Sequence, residues 1–184
     1  MNTRRIVLAT LAAVLLPPAR AATTPSVPDV RLLDSTGASV GLRELTARHT
    51  VALNFIYTGC SSFCPPQTAV FRAVQARLAE VRGPSLNPLL LSLSIDPLND
   101  SPSALARYAS RFEARLGLAH GWLMLTGETA AIARTTRAFN ASVIDPAEHP
   151  AQLWVGCEPK GRWLNANALA APDDVLLMMR RVSA

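Results

Sequence analysis

Two cysteines stand between a buried strand and an amphipathic helix, and this junction restricts the possible folds more than any other feature. They are Cys60 and Cys64, in the segment Cys-Ser-Ser-Phe-Cys-Pro. The preceding residues 51–57 (VALNFIY) are mostly apolar, which predicts a buried strand. Apolar side chains at helical spacing predict a helix over residues 65–81. We therefore expect an α/β domain with both thiols at the carboxyl edge of its sheet, where reactive sites of open α/β sheets collect.

The start of a helix is a favourable place for a reactive thiol. Backbone amides and the helix dipole favour negative charge there, so we expect lowered thiol pKa values. A thiolate is a better nucleophile and a better soft-metal ligand than a thiol. Three residues separate Cys60 from Cys64, so both sulfurs can bind one ion or form a disulfide. The pattern indicates a redox site, a metal site or both. The alternative is a static structural disulfide, although such bridges stabilise most when they close longer loops.

The other apolar runs predict the remaining elements of a single sheet. Strands are expected over residues 29–33, 39–42, 89–95, 122–125, 153–157 and 162–164. The first two form a hairpin turned at Gly37, which can take a positive φ. Further helices are expected from residue 101, over 126–138 and from residue 172. This order predicts a thioredoxin-like fold, with a central mixed sheet flanked by helices, an N-terminal β-hairpin and an inserted helical unit.

The N-terminus has the pattern of an export signal. Arg4 and Arg5 precede a short apolar stretch over residues 6–16, and residues 19–21 (Ala-Arg-Ala) resemble a cleavage site. We expect residues 1–21 to be a signal peptide that directs a bacterial chain to the periplasm, where disulfides persist. An uncleaved signal that anchors the protein to the membrane is the alternative.

A single domain is expected to follow, over residues 29–184, after a flexible leader over residues 22–28. Residues 1–21 contain three arginines and no acidic residue, so their removal lowers the net charge from +5 to about +2. No basic run is interleaved with aromatic residues, which argues against nucleic acid as a partner.

Three ordered motifs resemble those of the Sco/SenC family. Residues 55–65 (FIYTGCSSFCP) match the family signature F-x-Y-T-x-C-x-x-x-C-P. Residues 94–102 (SIDPLNDSP) resemble its S-x-D-P-x-x-D-x-P segment, and residues 122–127 (WLMLTG) resemble its W-x-x-L-T-G segment. The resemblance extends over residues 30–182, nearly the whole expected mature chain.

This resemblance implies copper chemistry. Sco/SenC proteins are copper chaperones and thiol–disulfide reductases that help to assemble the binuclear copper centre of cytochrome c oxidase. It implies that Cys60 and Cys64 are a redox-active pair and two copper ligands, and that a histidine is the third ligand. His149 is the counterpart, although the Asp and Ser that flank the family histidine are absent. Two thiolates and one imidazole suit Cu(I), and Cu(II) with a further ligand.

Other candidate residues have more ordinary interpretations. Cys157 lies in an apolar strand and is expected to be a small buried residue, or else a substitute copper ligand or resolving thiol. His49 and His120 are expected to be solvated or structural. Asp96 and Asp100 could bind a hard metal, but their positions favour roles in a turn and in capping.

The expected function is that of an exported copper-binding chaperone or thiol–disulfide reductase that assists copper-centre assembly of a respiratory oxidase. Its expected partners are the copper-bearing subunit of cytochrome c oxidase or another periplasmic copper protein, and an upstream thiol reductant. The alternatives are a thiol–disulfide oxidoreductase or a redox sensor with no physiological copper role.

Overall fold

The computed structural model describes residues 24–83 and 87–184, and these form a mixed sheet flanked by helices. The strands are β1 Arg31–Asp34, β2 Ser39–Gly41, β3 Thr50–Ile56, β4 Pro88–Ser94, β5 Trp122–Thr126, β6 Gln152–Cys157 and β7 Arg162–Asn167. The helices are α1 Leu42–Arg48, α2 Cys64–Arg77, α3 Pro102–Ser110, α4 Thr129–Ala138 and α5 Pro172–Ser183. The mixed sheet, its flanking helices and the N-terminal hairpin with Gly37 at positive φ were all predicted.

The sheet has the order β2-β1-β5-β4-β3-β6-β7. Strand β3 is parallel to β4, with Ile56 opposite Ser94, and antiparallel to β6, with Val51 opposite Gly156. Every residue of β3 and β4 is buried, as the nearly continuous apolar runs predict for central parallel strands. The loops that follow β3 and β4 therefore lie side by side at one edge of the sheet.

Each face of the sheet carries its own core. Alternate residues of β3 point to opposite faces, so Ala52 and Ile56 join one core while Leu53 and Phe55 join the other. The first core is covered by α2, α3 and α5 and contains both Cys60 and Cys64. The second is covered by α1 and α4.

Several boundaries differ from the prediction. Helix α1 was not predicted, because a helix of seven residues buries little more than Leu42, Leu45 and Thr46 and leaves almost no periodic pattern. Helix α4 begins at Thr129 rather than at residue 126, because Thr126 still belongs to β5 and pairs with Leu33 of β1. Helix α2 ends at Arg77, and a short 3-10 turn continues it to Glu80.

The predicted signal peptide, residues 1–21, lies outside the described residues. Of the predicted leader, residues 24–28 are described, and Val27 is buried in the second core. The Val27 carbonyl accepts a hydrogen bond from Arg43 Nη2 at 3.2 Å, so the packed chain begins before residue 29. Within the described ranges, the helices are all too short or too polar to cross a membrane.

Candidate thiol and metal site

The loop after β3 brings both cysteines to the start of α2. The Cys60 amide donates a hydrogen bond to the Tyr57 carbonyl at 3.2 Å, which turns the chain back after the strand. Cys64 is the first residue of α2, and its amide donates to Cys60 Sγ at 3.3 Å. Both are free thiols, 5% and 0% exposed. The predicted junction of strand, thiol pair and helix is therefore present.

The two thiols have opposite pKa shifts. Burial tends to raise the pKa of Cys60, but hydrogen bonds from the Cys64 thiol and from the amides of Cys64 and Ser62 lower it to about 7. Burial, together with the hydrogen bond to Cys60, raises the pKa of Cys64 to about 12. The expectation of a lowered pKa is therefore wrong for Cys64, because complete burial outweighs the effect of the helix start.

His149 lies against the buried thiol. Its Nε2 atom is 3.6 Å from Cys64 Sγ, and its Nδ1 atom is 3.2 Å from the Pro150 carbonyl. A proton on Nδ1 would donate to that carbonyl and leave the Nε2 lone pair directed at the sulfur. The side chain is 7% exposed, and burial lowers the pKa of the imidazole, partly offset by the Pro150 contact. The Tyr57 ring packs edge-on against it, with centroids 6.1 Å apart.

The other histidines and the third cysteine lie elsewhere. His49 ends α1 immediately before β3, and His120 is exposed in a 3-10 turn before β5. Cys157 follows Gly156, which pairs with Val51 near the amino end of β3. Roughly 16 Å of strand separates that end from the thiol loop. Cys157 is buried, as expected for a small apolar residue, and it is not placed to substitute for His149.

Asp100 anchors the thiol loop, a role that the sequence did not indicate. The side chain is 1% exposed. Its carboxylate accepts hydrogen bonds from the amide and the hydroxyl of Thr58 and from Ser94 Oγ. Asp96 instead accepts from Asn99 Nδ2 and shapes the preceding turn. Asp96 and Asp100 thus both have structural partners. The sequence signal that could have indicated the contact between Ser94 and Asp100 is the family motif that contains both residues.

A second hydrogen-bonded chain ties the start of α2 to α3. Thr68 Oγ1 donates to the Cys64 carbonyl at 2.8 Å and lies 2.8 Å from the hydroxyl of Tyr108. Burial raises the pKa of Tyr108 to about 12, so its hydroxyl remains protonated at neutral pH. Asp100 therefore holds the loop before α2 through Thr58, and Tyr108 holds the first turn of α2 through Thr68.

The donors form a pair rather than a closed cage. In the part of the chain that the structure describes, no three His, Cys, Asp or Glu side chains converge as a ready metal-binding group. Cys64 and His149 are in contact, whereas the sulfur of Cys60 accepts the Cys64 amide. Chemically, the site offers one acidic thiol, one protected thiol and one imidazole nitrogen, a set suited to soft metals and to disulfide exchange.

Comparison with known proteins identifies relatives of this chain. A family model described as SCO1/SenC matches residues 19–153. The chain is 32% identical over 91 residues to a SCO1 protein homolog of Bacillus subtilis. That alignment covers 50% of this chain and 44% of the relative, so the chain spans less than half the length of this curated relative.

Solved structures have the same fold. BsSco, described as a member of the Sco family of cytochrome c oxidase assembly proteins, superposes with a TM-score of 0.72 at 23% identity, covering 91% of this chain and 98% of that one. Copper-bound ScoI of Arabidopsis thaliana superposes with a TM-score of 0.66 at 17% identity, covering 84% and 98%. The predicted thioredoxin-like fold is confirmed by these likenesses.

Proposed function

The chain belongs to the SCO1/SenC family, and from this we propose that it is an exported protein that binds one copper ion through Cys60, Cys64 and His149. The observation that carries the proposal is the 3.6 Å contact between Cys64 Sγ and His149 Nε2, beside the thiol of Cys60. The copper-bound relative from Arabidopsis thaliana supports the choice of metal.

Copper is the cargo of this site, and the donors suit it. Two thiolates satisfy Cu(I), and the imidazole adds the nitrogen that Cu(II) prefers. Both thiols lose a proton when the ion binds, and His149 is already neutral because burial lowers its pKa. We expect the Cys60 side chain to move on binding, since its sulfur accepts the Cys64 amide in the metal-free protein.

The proposed role is to supply copper to a respiratory oxidase or to reduce the cysteines that receive it. For reduction, the Cys60 thiolate attacks a partner disulfide, forming a mixed disulfide and releasing one partner sulfur, which takes up a proton. Cys64 then loses its proton, and its sulfur displaces the partner's second sulfur. The partner leaves as a dithiol, and Cys60–Cys64 becomes a disulfide. An upstream thiol reductant must return the two electrons before copper can bind again.

A thiol–disulfide oxidoreductase without a copper role is the second candidate. The two pKa values, about 7 for Cys60 and about 12 for Cys64, favour this candidate, because they make the Cys60 sulfur a nucleophile and keep Cys64 protonated until the mixed disulfide forms.

We propose the bacterial periplasm as the compartment, and the copper-bearing subunit of cytochrome c oxidase or another copper protein there as the partner.

Copper stoichiometry on the reduced protein distinguishes the two candidates. We expect one tightly bound Cu(I) in a chelator-competition titration, and Cys60→Ser or Cys64→Ser should abolish it because oxygen does not replace a soft sulfur ligand. Cys157→Ala is the matched control, since it removes a buried cysteine from the opposite edge of the sheet. Unchanged affinity in either serine variant would overturn the copper site and leave the oxidoreductase.

A further inference from the structure

A pocket lined by two arginines opens beside the thiol loop. It has a volume of about 190 Å³ and is lined by Thr58, Ala104, Arg107, Tyr108 and Arg111. Thr58 lies two residues before Cys60, and Tyr108 is hydrogen-bonded to the first turn of α2 through Thr68. Two residues of its lining are therefore linked to the elements that hold the thiols.

Neither of the two arginines forms an ion pair with an acid of the part of the chain that the structure describes. Both are exposed, and the ion pairs among residues 24–83 and 87–184 involve Arg31 and Arg77 instead. No hydrogen bond in those ranges uses the guanidinium of Arg107 or Arg111. Arg111 lies over the Tyr108 ring, 5.7 Å from its centroid, which orders the guanidinium and leaves its N–H groups available.

A second pocket lies between α2 and the loop after α3 and contains two further arginines, of which Arg72 donates through Nε to the Glu113 carbonyl. It has a volume of about 360 Å³, and its lining includes Arg72 and Arg115. Residues 102–120 contain three arginines and one acidic residue, Glu113. We call Arg72, Arg107, Arg111 and Arg115 the arginine face.

We propose that the arginine face docks an acidic segment of the protein whose cysteines meet Cys60 and Cys64. The inference rests on the proposed function, which requires another polypeptide at this edge of the sheet. A guanidinium binds a carboxylate with two parallel hydrogen bonds, and pockets of this size admit single side chains. Complementary charge would orient the partner as it approaches and raise its rate of association.

The first test measures docking without copper or thiol chemistry. Two fluorescent peptides are compared, one rich in glutamate and the other with glutamine at the same positions. Both contain serine in place of cysteine, so neither can bind copper through sulfur or exchange disulfides. By fluorescence anisotropy, we expect the protein to bind the glutamate peptide about tenfold more tightly at low salt, and this preference should shrink near 0.15 M salt. Arg107→Gln/Arg111→Gln should bind both peptides equally.

The matched control is Arg48→Gln/Arg134→Gln. It removes the same charge from exposed positions on α1 and α4, which cover the opposite face of the sheet. The control should keep the preference for glutamate. Equal binding of both peptides by the unmodified protein, or an equal loss in the control, would overturn the proposal. A third contrary outcome concerns vesicles that contain phosphatidylglycerol. If the unmodified protein binds them, Arg107→Gln/Arg111→Gln loses that binding, and the unmodified protein shows no preference between the peptides, then the arginine face binds lipid and the proposal is wrong.

The second test joins docking to copper transfer. The Cu(I)-loaded protein is mixed with acidic and neutral peptides that carry the same Cys-x-x-x-Cys acceptor, and the ratio of the two transfer rates is measured by stopped flow. We expect a ratio of about ten at low salt, falling to about one in Arg107→Gln/Arg111→Gln. A ratio of one in the unmodified protein contradicts docking. Absence of transfer to either peptide contradicts the proposed function, and the anisotropy result then decides the docking surface alone.

Discussion

The Asp100 carboxylate accepts hydrogen bonds from both the backbone amide and the side-chain hydroxyl of Thr58, two residues before Cys60. The same carboxylate accepts Ser94 Oγ at 2.6 Å from the end of the neighbouring strand β4. One buried acid therefore joins the loop after β3 to the end of β4. We therefore expect the position of Cys60 relative to Cys64 and His149 to depend on this connection.

Asp100→Asn should destabilise the fold and disturb the thiols together. An amide cannot accept from all three donors and brings an N–H₂ group toward the Thr58 amide, so we expect a loss of about 2–4 kcal/mol in the free energy of unfolding. Urea unfolding measures the loss, and the alkylation rate of Cys60 in the folded protein reports its position. Asp96→Asn is the control, because among the described residues that carboxylate accepts hydrogen bonds only from Asn99 Nδ2, and the loss should be under about 1 kcal/mol. Equal effects of the two substitutions would contradict the anchoring role.

The metal-free, reduced protein should react with iodoacetamide at Cys60 first. The thiolate fraction grows as pH rises through the folded-state pKa, so the rate should rise with a midpoint near 7, while Cys64, with a pKa of about 12, stays protected. Cys64→Ala removes a hydrogen-bond donor to the Cys60 sulfur and should move the midpoint upward. Mass spectrometry of the modified peptides identifies the reacting residue. A midpoint near 9, or faster modification of Cys64, would contradict these pKa shifts.

The sequence predicted the junction of strand and thiols well, and the network around it poorly. Apolar runs and helical spacing are local properties, so β3, β4 and α2 could be read from residues close together in the chain. The partners of Asp100 are Ser94, which belongs to the same family motif, and Thr58, which is 42 residues away in the loop after β3, and no local pattern records that second contact. The raised pKa of Cys64 likewise results from burial by several elements, whereas the sequence shows only that the residue starts a helix.

The resemblance identified His149, but only the fold accounts for its contact with Cys64. The two residues are 85 positions apart, and they meet because β6 pairs with β3 and begins at the edge where the thiol loop lies. The same pairing places Cys157 at the end of β6 that lies away from the thiol loop. The sequence allowed Cys157 to be either a buried apolar residue or a substitute copper ligand, and this position favours the buried residue.

His149→Ala should weaken Cu(II) far more than Cu(I). Two thiolates suffice for Cu(I), whereas Cu(II) prefers sites with nitrogen ligands. In the unmodified protein, Cu(II) affinity should fall as pH decreases because both thiols must lose a proton to bind the ion, and protonation of His149 should steepen the fall only below its ordinary pKa of 6.5, because burial lowers the pKa of this imidazole. Charge-transfer spectra over a pH series measure both effects. His120→Ala, at an exposed position before β5, is the control, and identical spectra for His149→Ala and the unmodified protein would exclude His149 as a ligand.

The reduction potential of the Cys60–Cys64 pair should lie above about −300 mV, outside the range of structural disulfides. The reduced form is stabilised because the Cys60 thiolate accepts hydrogen bonds from the Cys64 amide and from the Cys64 thiol, and a disulfide loses both the charge and the thiol donor. The potential is measured by equilibration with glutathione buffers of known composition in the Cys157→Ala background, so that a single pair titrates. Cys64→Ala in the same background should show no two-electron transition. A potential below about −300 mV would instead indicate a static bridge, and neither copper loading nor disulfide reduction could then be sustained by the thiol reductants of an oxidising compartment.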